Sequence, residues 1–204
     1  IIDKLSFSSI KHILTRNEQG AAHMASGYAR VTKQAGVCTA TSGPGATNLI
    51  TGIATAYMDS IPMVALTGQV ATKLIGKDAF QEVDITGATL PFTKHSYLIK
   101  DGLDIPRVVN EAFHIANTGR PGPVLIDFPM DLLKKEFDYP EEDEDVNIRG
   151  YKLMGKANES QVKKVAEAIK GAKKPVILAG GGVVISDATN EFRKFVKETD
   201  IPVV

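Results

Sequence analysis

Short apolar runs alternate with segments of helical periodicity along most of this chain of 204 residues. The runs have the length of strands, and the segments between them repeat their apolar positions every three or four residues, as amphipathic helices do. Such alternation is typical of an α/β fold with a mostly parallel sheet and helices on both faces. The pattern predicts strands at residues 10–14, 36–41, 62–67, 95–99 and 124–128, and helices at residues 19–33, 46–58, 79–85 and from Pro106 onward.

The chain divides at an acidic stretch. Residues 134–157 contain the run Glu141-Glu142-Asp143-Glu144-Asp145, whose like charges resist compaction. We therefore interpret residues 1–133 as one domain, 134–157 as a linker and 158–204 as the start of a second α/β domain. In that second domain the pattern predicts a helix capped by Ser160, a strand at residues 175–179, a turn at the three glycines 180–182, a helix at residues 187–197 and a strand from Ile201.

Composition restricts the classes of function. Hydrophobic residues make up 43% of the chain and charged residues 24%, which suits a globular core and argues against disordered, collagen-like and disulfide-scaffold classes. Lys and Arg number 24, as do Asp and Glu, so the formal net charge is zero. We therefore expect neither a nucleic acid nor an anionic membrane as partner, and small-molecule chemistry becomes more attractive.

Metal-ligand patterns are absent from the sequence. Cys38 is the single cysteine, and His12, His23, His95 and His114 do not cluster at metal-ligand spacing, so we predict no metal ligands in these residues. A lone thiol suits a reducing compartment, and no apolar stretch is long enough to span a bilayer. We therefore expect a cytoplasmic protein, or an organellar one in a plant or fungus.

Candidate chemistry lies in the loops that follow predicted strands, because ligands of open parallel sheets bind where strands end and helices begin. Glu18 stands at a helix start, where the helix dipole alone would favour a carboxylate. The small residues after it, from Gly20 to Gly27, predict that another surface approaches this helix closely.

Three further features leave alternatives open. The turn at residues 42–45 lacks the spacing of known phosphate loops and is better explained as a tight turn, with Thr47 or Asn48 serving the next helix start. Arg120 could bind a phosphate or satisfy carbonyl groups in its own turn. The glycines 180–182 fit either a turn or a loop that contacts a dinucleotide.

Two blocks of the sequence are more specific indicators of function than the features above. Residues 16–30, which begin Arg-Asn-Glu-Gln-Gly-Ala-Ala-His-Met-Ala, and residues 41–48, Thr-Ser-Gly-Pro-Gly-Ala-Thr-Asn, resemble the pyrimidine-binding domain of thiamine-diphosphate-dependent enzymes. Residues 56–62, 67–70, 75–82, 93–95 and 119–124 narrow the resemblance to the large catalytic subunit of the acetolactate synthase (acetohydroxyacid synthase) family. Residues 180–182 resemble the start of that family's FAD-binding middle domain. The resemblance covers essentially the whole chain.

The resemblance implies a reaction. Thiamine diphosphate would decarboxylate pyruvate and join the remaining fragment to a second 2-keto acid, pyruvate or 2-ketobutyrate, giving 2-acetolactate or 2-aceto-2-hydroxybutyrate for branched-chain amino-acid biosynthesis. Glu18 would bind the N1′ ring nitrogen of the cofactor and drive its tautomerisation, with its pKa adjusted by a buried, apolar setting. The same resemblance puts Phe80 and Gln81 near the thiazolium ring and substrate.

Cofactor contacts follow from the resemblance as well. Asn48 and the glycines Gly43 and Gly45 would line the thiamine diphosphate pocket. FAD would contact Ser60, Arg120, Gly180, Gly181 and Gly182, without a redox part in the main reaction. Mg²⁺ ligands would lie outside these residues, in the diphosphate-binding domain of a longer protein of which this chain is an amino-terminal part.

The resemblance also implies partner subunits, and the chain differs from the family at two positions. The family implies a homodimer or higher oligomer with its active site at the subunit interface, and possibly a small regulatory subunit. Met130 stands where many members have a lysine near the substrate entrance, and Asn17 replaces the usual histidine before the glutamate. The alternatives are another thiamine-diphosphate enzyme, such as pyruvate oxidase or a 2-keto acid decarboxylase, or a non-catalytic nucleotide-binding relative.

Overall fold

The computed structural model describes residues 2–139 and 146–204, and the described chain forms two contact units, Ile1–Leu153 and Met154–Val204. The acidic run 141–145 lies outside the described residues. Ile148 and Tyr151, which fall within the predicted linker, pack against the core of the first unit. The division of the chain into domains at residues 133 and 158 stays a prediction.

The first unit contains a four-stranded sheet that is parallel throughout. Its strands lie in the order β1-β2-β4-β3, and the register pairs Val37 with Val64, Thr67 with Asp127, and Leu98 with Asp127. All four strands were predicted from the apolar runs, to within two residues at each end. Their bounds are Gly36–Ala40 for β1, Met63–Gln69 for β2, His95–Leu98 for β3 and Pro123–Pro129 for β4.

Helices cover both faces of this sheet, which confirms the predicted α/β class. One core combines Leu49 and Ile53 with sheet residues such as Leu125, and the other combines Val108 and Ala112 with sheet residues such as Ile126. Neighbouring residues of β4 therefore serve opposite faces, as the pleat requires. The helices of this unit are α1 (Ile2–Leu5), α2 (Glu18–Thr32), α3 (Pro44–Asn48), α4 (Ile50–Met58), α5 (Ile85–Thr89), α6 (Ile105–Asn117) and α7 (Met130–Leu133), with 3-10 turns at Thr72–Leu74, Leu90–Phe92 and Gly102–Asp104.

The small residues of α2 are explained in part within the chain. A side chain at Gly52 of α4 would overlap Ala22, and one at Gly36 of β1 would overlap the carbonyl of Ala25. These contacts let α2 lie directly on α4 and β1. A Cβ at Gly20 or Gly27 would meet nothing within 4 Å, so the opposite side of the helix stays open in the single chain.

The second unit is formed mainly by helices. They are α8 (Glu159–Gly171), α9 (Gly182–Ile185) and α10 (Thr189–Thr199). Residues 175–179 and the segment from Ile201 were expected to be strands, but they share one isolated parallel bridge, between Ile177 and Val203. Asn158, not Ser160, caps α8, because its Oδ1 accepts hydrogen bonds from the backbone N–H groups of residues 160 and 161.

Three predicted elements of the first unit need correction. Residues 10–14 are irregular, and Ile10 and Leu14 are 62% and 83% exposed, because no described strand pairs with this run. Residues 79–84 are not helical: Gln81 has φ +58°, which a helix excludes, and Asp84 caps a helix that begins only at Ile85. The predicted helix 46–58 is divided at Leu49 into α3 and α4, and it begins two residues earlier, at Pro44.

Candidate functional site

Several predicted site residues meet at the carboxyl ends of the strands. Gly43 lies in the turn that follows β1, Gly45 lies in the first turn of α3, and Glu18 begins α2, which runs back to the start of β1. Asn48 ends α3, which this turn introduces. Parallel strands place such turns at one edge of the sheet, where ligands of open α/β folds bind. Below, "Glu18 site" denotes Glu18, Gly43, Gly45, Asn48 and Gln81.

Glu18 is held in place by hydrogen bonds. The side-chain amide of Asn48 donates to Glu18 Oε2 at 3.0 Å, and Asn17 caps α2 by accepting from the backbone N–H of Gln19 at 2.8 Å. Asn17 thus fixes the start of the helix, a position that strongly favours Asn. Neither Thr47 nor Asn48 caps its own helix, because Asn48 is directed to Glu18 and the Thr47 hydroxyl donates to the carbonyl of Pro44.

The electrostatic setting of Glu18 differs from the expectation. The side chain is only partly buried, and the Asn48 hydrogen bond, helped by the backbone N–H of Glu18, lowers the pKa of the carboxyl. The expected buried, apolar setting is therefore wrong for the single chain, because the neighbours of Glu18 supply hydrogen-bond donors. An ionised carboxylate of this kind accepts hydrogen bonds, and so favours a protonated partner atom.

The two glycines permit close packing around Glu18 and Gln81. A Cβ at Gly45 would lie 2.7 Å from Thr41 Cγ2, which is too close, and 3.5 Å from Glu18 Oε1, which is ordinary contact, so alanine there would displace Thr41 next to this carboxylate. Gly43 has φ +57°, and a Cβ there would lie 2.5 Å from the carbonyl oxygen of Gln81. Residues 42–45 thus form a tight turn. The Glu18 carboxylate and the Asn48 amide are hydrogen-bonding groups of the kind that suit the nitrogen atoms of an aminopyrimidine ring such as that of thiamine diphosphate.

Residues 76–83 form a loop against this turn, called "loop 76–83" below. The carboxylate of Glu82 closes the loop by accepting from the backbone N–H groups of Gly76 and Ala79, the latter at 2.8 Å. Gln81 contacts Gly43 through its backbone and has an exposed side chain, and Phe80 is 88% exposed. The structure therefore brings Gln81 to Gly43, whereas the Phe80 side chain projects into open space.

Ser60 and Arg120 form a separate pair at the other edge of the sheet. Both precede strands, β2 and β4, so they lie at the amino ends and are separated from the Glu18 site by the length of β2, about 20 Å. Arg120 Nε donates to Ser60 Oγ at 2.7 Å, and Nη2 reaches the carbonyl of Met58 at 3.4 Å. Arg120 thus satisfies a carbonyl at the end of α4. Ser60 has φ +58°, a conformation that few residues other than Gly adopt.

The glycines 180–182 lie at the start of α9. Gly180 and Gly181 precede α9 and Gly182 begins it, and a Cβ at any of the three would meet nothing within 4 Å. Among the residues described, no group of three or more His, Cys, Asp or Glu side chains could hold a metal ion. Nor does the described part of the chain contain a helix long and apolar enough to cross a membrane.

Comparison with known proteins decides between the possible families. The family profile described as the thiamine pyrophosphate enzyme N-terminal TPP-binding domain matches residues 1–88, and the profile of the central domain of the same enzymes matches residues 162–204. The chain belongs to the thiamine pyrophosphate enzyme family. The first match contains every residue of the Glu18 site.

Similar members of this thiamine pyrophosphate enzyme family carry one name. The chain is 55% identical over 197 residues to the acetolactate synthase of Mycobacterium bovis, which covers 96% of the chain and 31% of the relative. It is 54% identical over 204 residues to the probable acetolactate synthase large subunit of Methanocaldococcus jannaschii, in an alignment that covers 98% of the chain and 34% of that relative. The acetolactate synthase large subunit of Corynebacterium glutamicum is 51% identical over 199 residues, which are 98% of the chain and 32% of that relative. The chain thus spans about a third of the length of these relatives.

Sequence reasoning missed one buried group in β4 and β2. Asp127 is fully buried in β4, where its Oδ1 accepts from the Thr67 hydroxyl at 2.7 Å and its Oδ2 from the Gln69 side-chain amide at 2.9 Å. Burial raises the pKa of Asp127 to about 6, despite these two hydrogen bonds. The available signal was a carboxylate inside the apolar run 124–128, since buried charges require partners.

Proposed function

We propose that the complete protein is an acetolactate synthase, which decarboxylates pyruvate and joins the product to a second 2-keto acid. One observation carries the proposal: Asn48 fixes the partly exposed carboxylate of Glu18 through Oε2, next to Gly45. The identity of 51–55% to enzymes of that name supports it. Because the chain spans a third of those relatives, the activity is assigned to the complete protein.

The cofactor and the residues of this chain have different roles in the proposed reaction. Bound thiamine diphosphate supplies the carbanion chemistry that decarboxylation and carboligation require. Glu18 would accept a hydrogen bond from the N1′ position of the bound pyrimidine and so would stabilise the form that carries a proton there. Asn48 holds Glu18 Oε2, which leaves Oε1, the oxygen beside Gly45, to meet the ring. Gly43 and Gly45 allow the ring to approach the backbone.

Loop 76–83 supplies the proposed substrate contacts. Gln81 and Phe80 have exposed side chains next to the Gly43 turn, so they are free to contact a 2-keto acid. We assign FAD contacts to Ser60 and Arg120, and the resemblance separately implies FAD contacts for the glycines 180–182. The Arg120 guanidinium suits the FAD diphosphate, because among the residues that the structure describes it is bonded through Nε and Nη2, which leaves Nη1 for a further acceptor. The ligands of Mg²⁺ are assigned to residues outside 1–204.

The open side of α2 supports a homodimer with the active site at its interface. Met24, Tyr28 and Val31 are 48%, 53% and 85% exposed on this helix. Gly20 and Gly27 offer no obstacle to a close approach. A second subunit packed there would also cover Glu18, which removes water from the carboxylate. The name "large subunit", which the relatives from Corynebacterium glutamicum and Methanocaldococcus jannaschii carry, supports a separate small subunit.

Product analysis with pyruvate tests the function. The complete protein, given thiamine diphosphate, Mg²⁺ and FAD, is expected to release carbon dioxide and form acetolactate. Glu18→Gln should reduce this turnover by about 100-fold or more, because catalysis by a positioned proton-transfer group is worth that much. Asp104→Asn, which alters another partly exposed carboxylate, serves as the matched control and should retain activity.

The products also separate the alternatives. Acetaldehyde would indicate a decarboxylase, and oxygen-dependent acetyl phosphate or acetate would indicate a pyruvate oxidase. No turnover at all would favour a non-catalytic relative. Wild-type turnover by Glu18→Gln would overturn the assigned role of this residue.

A further inference from the structure

The buried group Thr67, Gln69 and Asp127 has no part in the proposed chemistry, yet it lies next to the site. Gln69 ends β2, and Asp127 lies in the neighbouring strand, so both are near the carboxyl ends of the strands. All three side chains are buried, with exposed fractions of 1%, 7% and 0% respectively. A carboxylate in such a setting is costly unless hydrogen bonds satisfy it, which means that its partners are strongly held.

Gln69 connects this carboxylate to loop 76–83. Its side-chain amide donates twice, to Asp127 Oδ2 at 2.9 Å and to the backbone carbonyl of Val83 at 2.8 Å. Its side-chain oxygen accepts from the backbone N–H of Val70 at 2.9 Å, which fixes the orientation of the amide. Every polar group of the Gln69 side chain is therefore used, and one of its bonds ends on the loop.

The loop depends on this anchor more than on packing. Of its residues, Gly76, Lys77, Asp78, Phe80 and Gln81 are exposed. Glu82 closes the loop on itself, but its bonds to Gly76 and Ala79 do not attach the loop to the sheet. The Gln69 bond to Val83 attaches the loop two residues after Gln81, whose carbonyl lies against Gly43.

We propose that Asp127 and Gln69 are positioning residues, which hold loop 76–83 so that Gln81 stays against the Gly43 turn. Asp127 orients the Gln69 amide, and the amide holds Val83. Thr67 binds the other oxygen of Asp127 and makes no described contact with the loop. The catalytic consequence of this arrangement rests on the proposed function, whereas the attachment of the loop does not.

Hydrogen exchange of the complete protein, read by mass spectrometry, tests the attachment. Gln69→Met keeps the length of the side chain but removes both donated hydrogen bonds, so exchange in residues 76–83 should accelerate about 10-fold, the upper end of what the loss of one hydrogen bond to a neutral carbonyl gives. Thr67→Val is the matched control, because it removes the other bond to Asp127. It should leave residues 76–83 near the wild-type rate, and helix α6 should be unchanged in both variants.

Two further measurements complete the test. Gln69→Asn retains the amide but is one methylene too short to reach both acceptors, so it should show the same selective exchange if Gln69→Met fails to fold. Gln69→Met should lower kcat/KM for pyruvate about 10-fold or more, mainly through KM, and Thr67→Val should not. Equal acceleration in the Gln69 and Thr67 variants, or none in residues 76–83, would overturn the proposal. An inactive wild-type protein would contradict the proposed function, and the exchange result would still decide the attachment.

Discussion

Two carboxylates of the first unit show how the same chemical pair behaves in different surroundings. Glu18 accepts from the amide of Asn48, and Asp127 accepts from the amide of Gln69. The pKa of Glu18 is lowered, mainly by the amide hydrogen bond, whereas burial raises the pKa of Asp127 to about 6. Both carboxylates accept a hydrogen bond from a side-chain amide, so exposure to water decides whether the pKa is lowered or raised. Glu18 is accessible to a ligand, and Asp127 stabilises the position of its neighbours.

The largest predicted effect concerns the buried member of the comparison. A raised pKa means that folded Asp127 binds a proton more tightly than the unfolded chain does, so its contribution to stability is greatest below about pH 4 and is lost as the pH rises through about 6. Nearby Asp84 adds to this shift by like-charge repulsion. Asp127→Asn should remove this decline, which is at most about 3 kcal/mol in the free energy of unfolding.

Urea unfolding of the wild type and Asp127→Asn between pH 4 and pH 7.5 measures the difference. Parallel stability curves for the two proteins would show that Asp127 does not titrate in this range, and the contrast with Glu18 would fail.

A smaller effect is expected where a methyl group is added next to Glu18. Gly45→Ala places a methyl group 2.7 Å from Thr41 Cγ2 and beside Glu18 Oε1, which forces a local shift. We expect the affinity for thiamine diphosphate to fall about 10-fold, the usual scale of overpacking. Calorimetric titration measures it. Gly171→Ala, at the end of α8 with open space around it, is the control, and an equal loss there would refute a local cause.

The smallest expected effect concerns the pKa of Glu18. Asn48→Ala removes the main cause of the lowered pKa, so the pKa of Glu18 should move upward, toward its ordinary value. The acidic limb of the pH profile of kcat/KM should then shift to higher pH. Asn117→Ala, which removes an amide bonded to the carbonyl of Phe113 on α6, should not move the limb. An unchanged limb in Asn48→Ala would mean that another group controls it.

The sequence predicted the sheet well and its surroundings less well. Strands β1, β2, β3 and β4 are short apolar runs bounded by turn residues, and local pattern is sufficient to detect these. Residues 10–14 have the same pattern but no described strand beside them, and pairing is not a local property. Loop 76–83 was mistaken for a helix because the positive φ of Gln81 depends on its contact with Gly43, a residue 38 positions earlier.

The candidate site was anticipated by resemblance more than by physical pattern. Glu18 has an ordinary explanation as a helix-start carboxylate, and only the matching blocks gave it a chemical role. Its bond to Asn48 spans 30 residues, and the Asp127 bonds to Thr67 and Gln69 span 60 and 58. No sequence periodicity reports such pairs, so the positioning group around Asp127 became visible only in the fold.

The most direct test of the central claim follows the proton that Glu18 is proposed to control. Deuterium exchange at the reactive thiazolium carbon of bound thiamine diphosphate can be measured by quenched-flow NMR in the complete protein and in Glu18→Gln, at saturating cofactor. We predict that the variant binds the cofactor and exchanges this proton about 100-fold or more slowly than the wild type. Exchange at the wild-type rate, with the cofactor bound, would contradict the role assigned to Glu18.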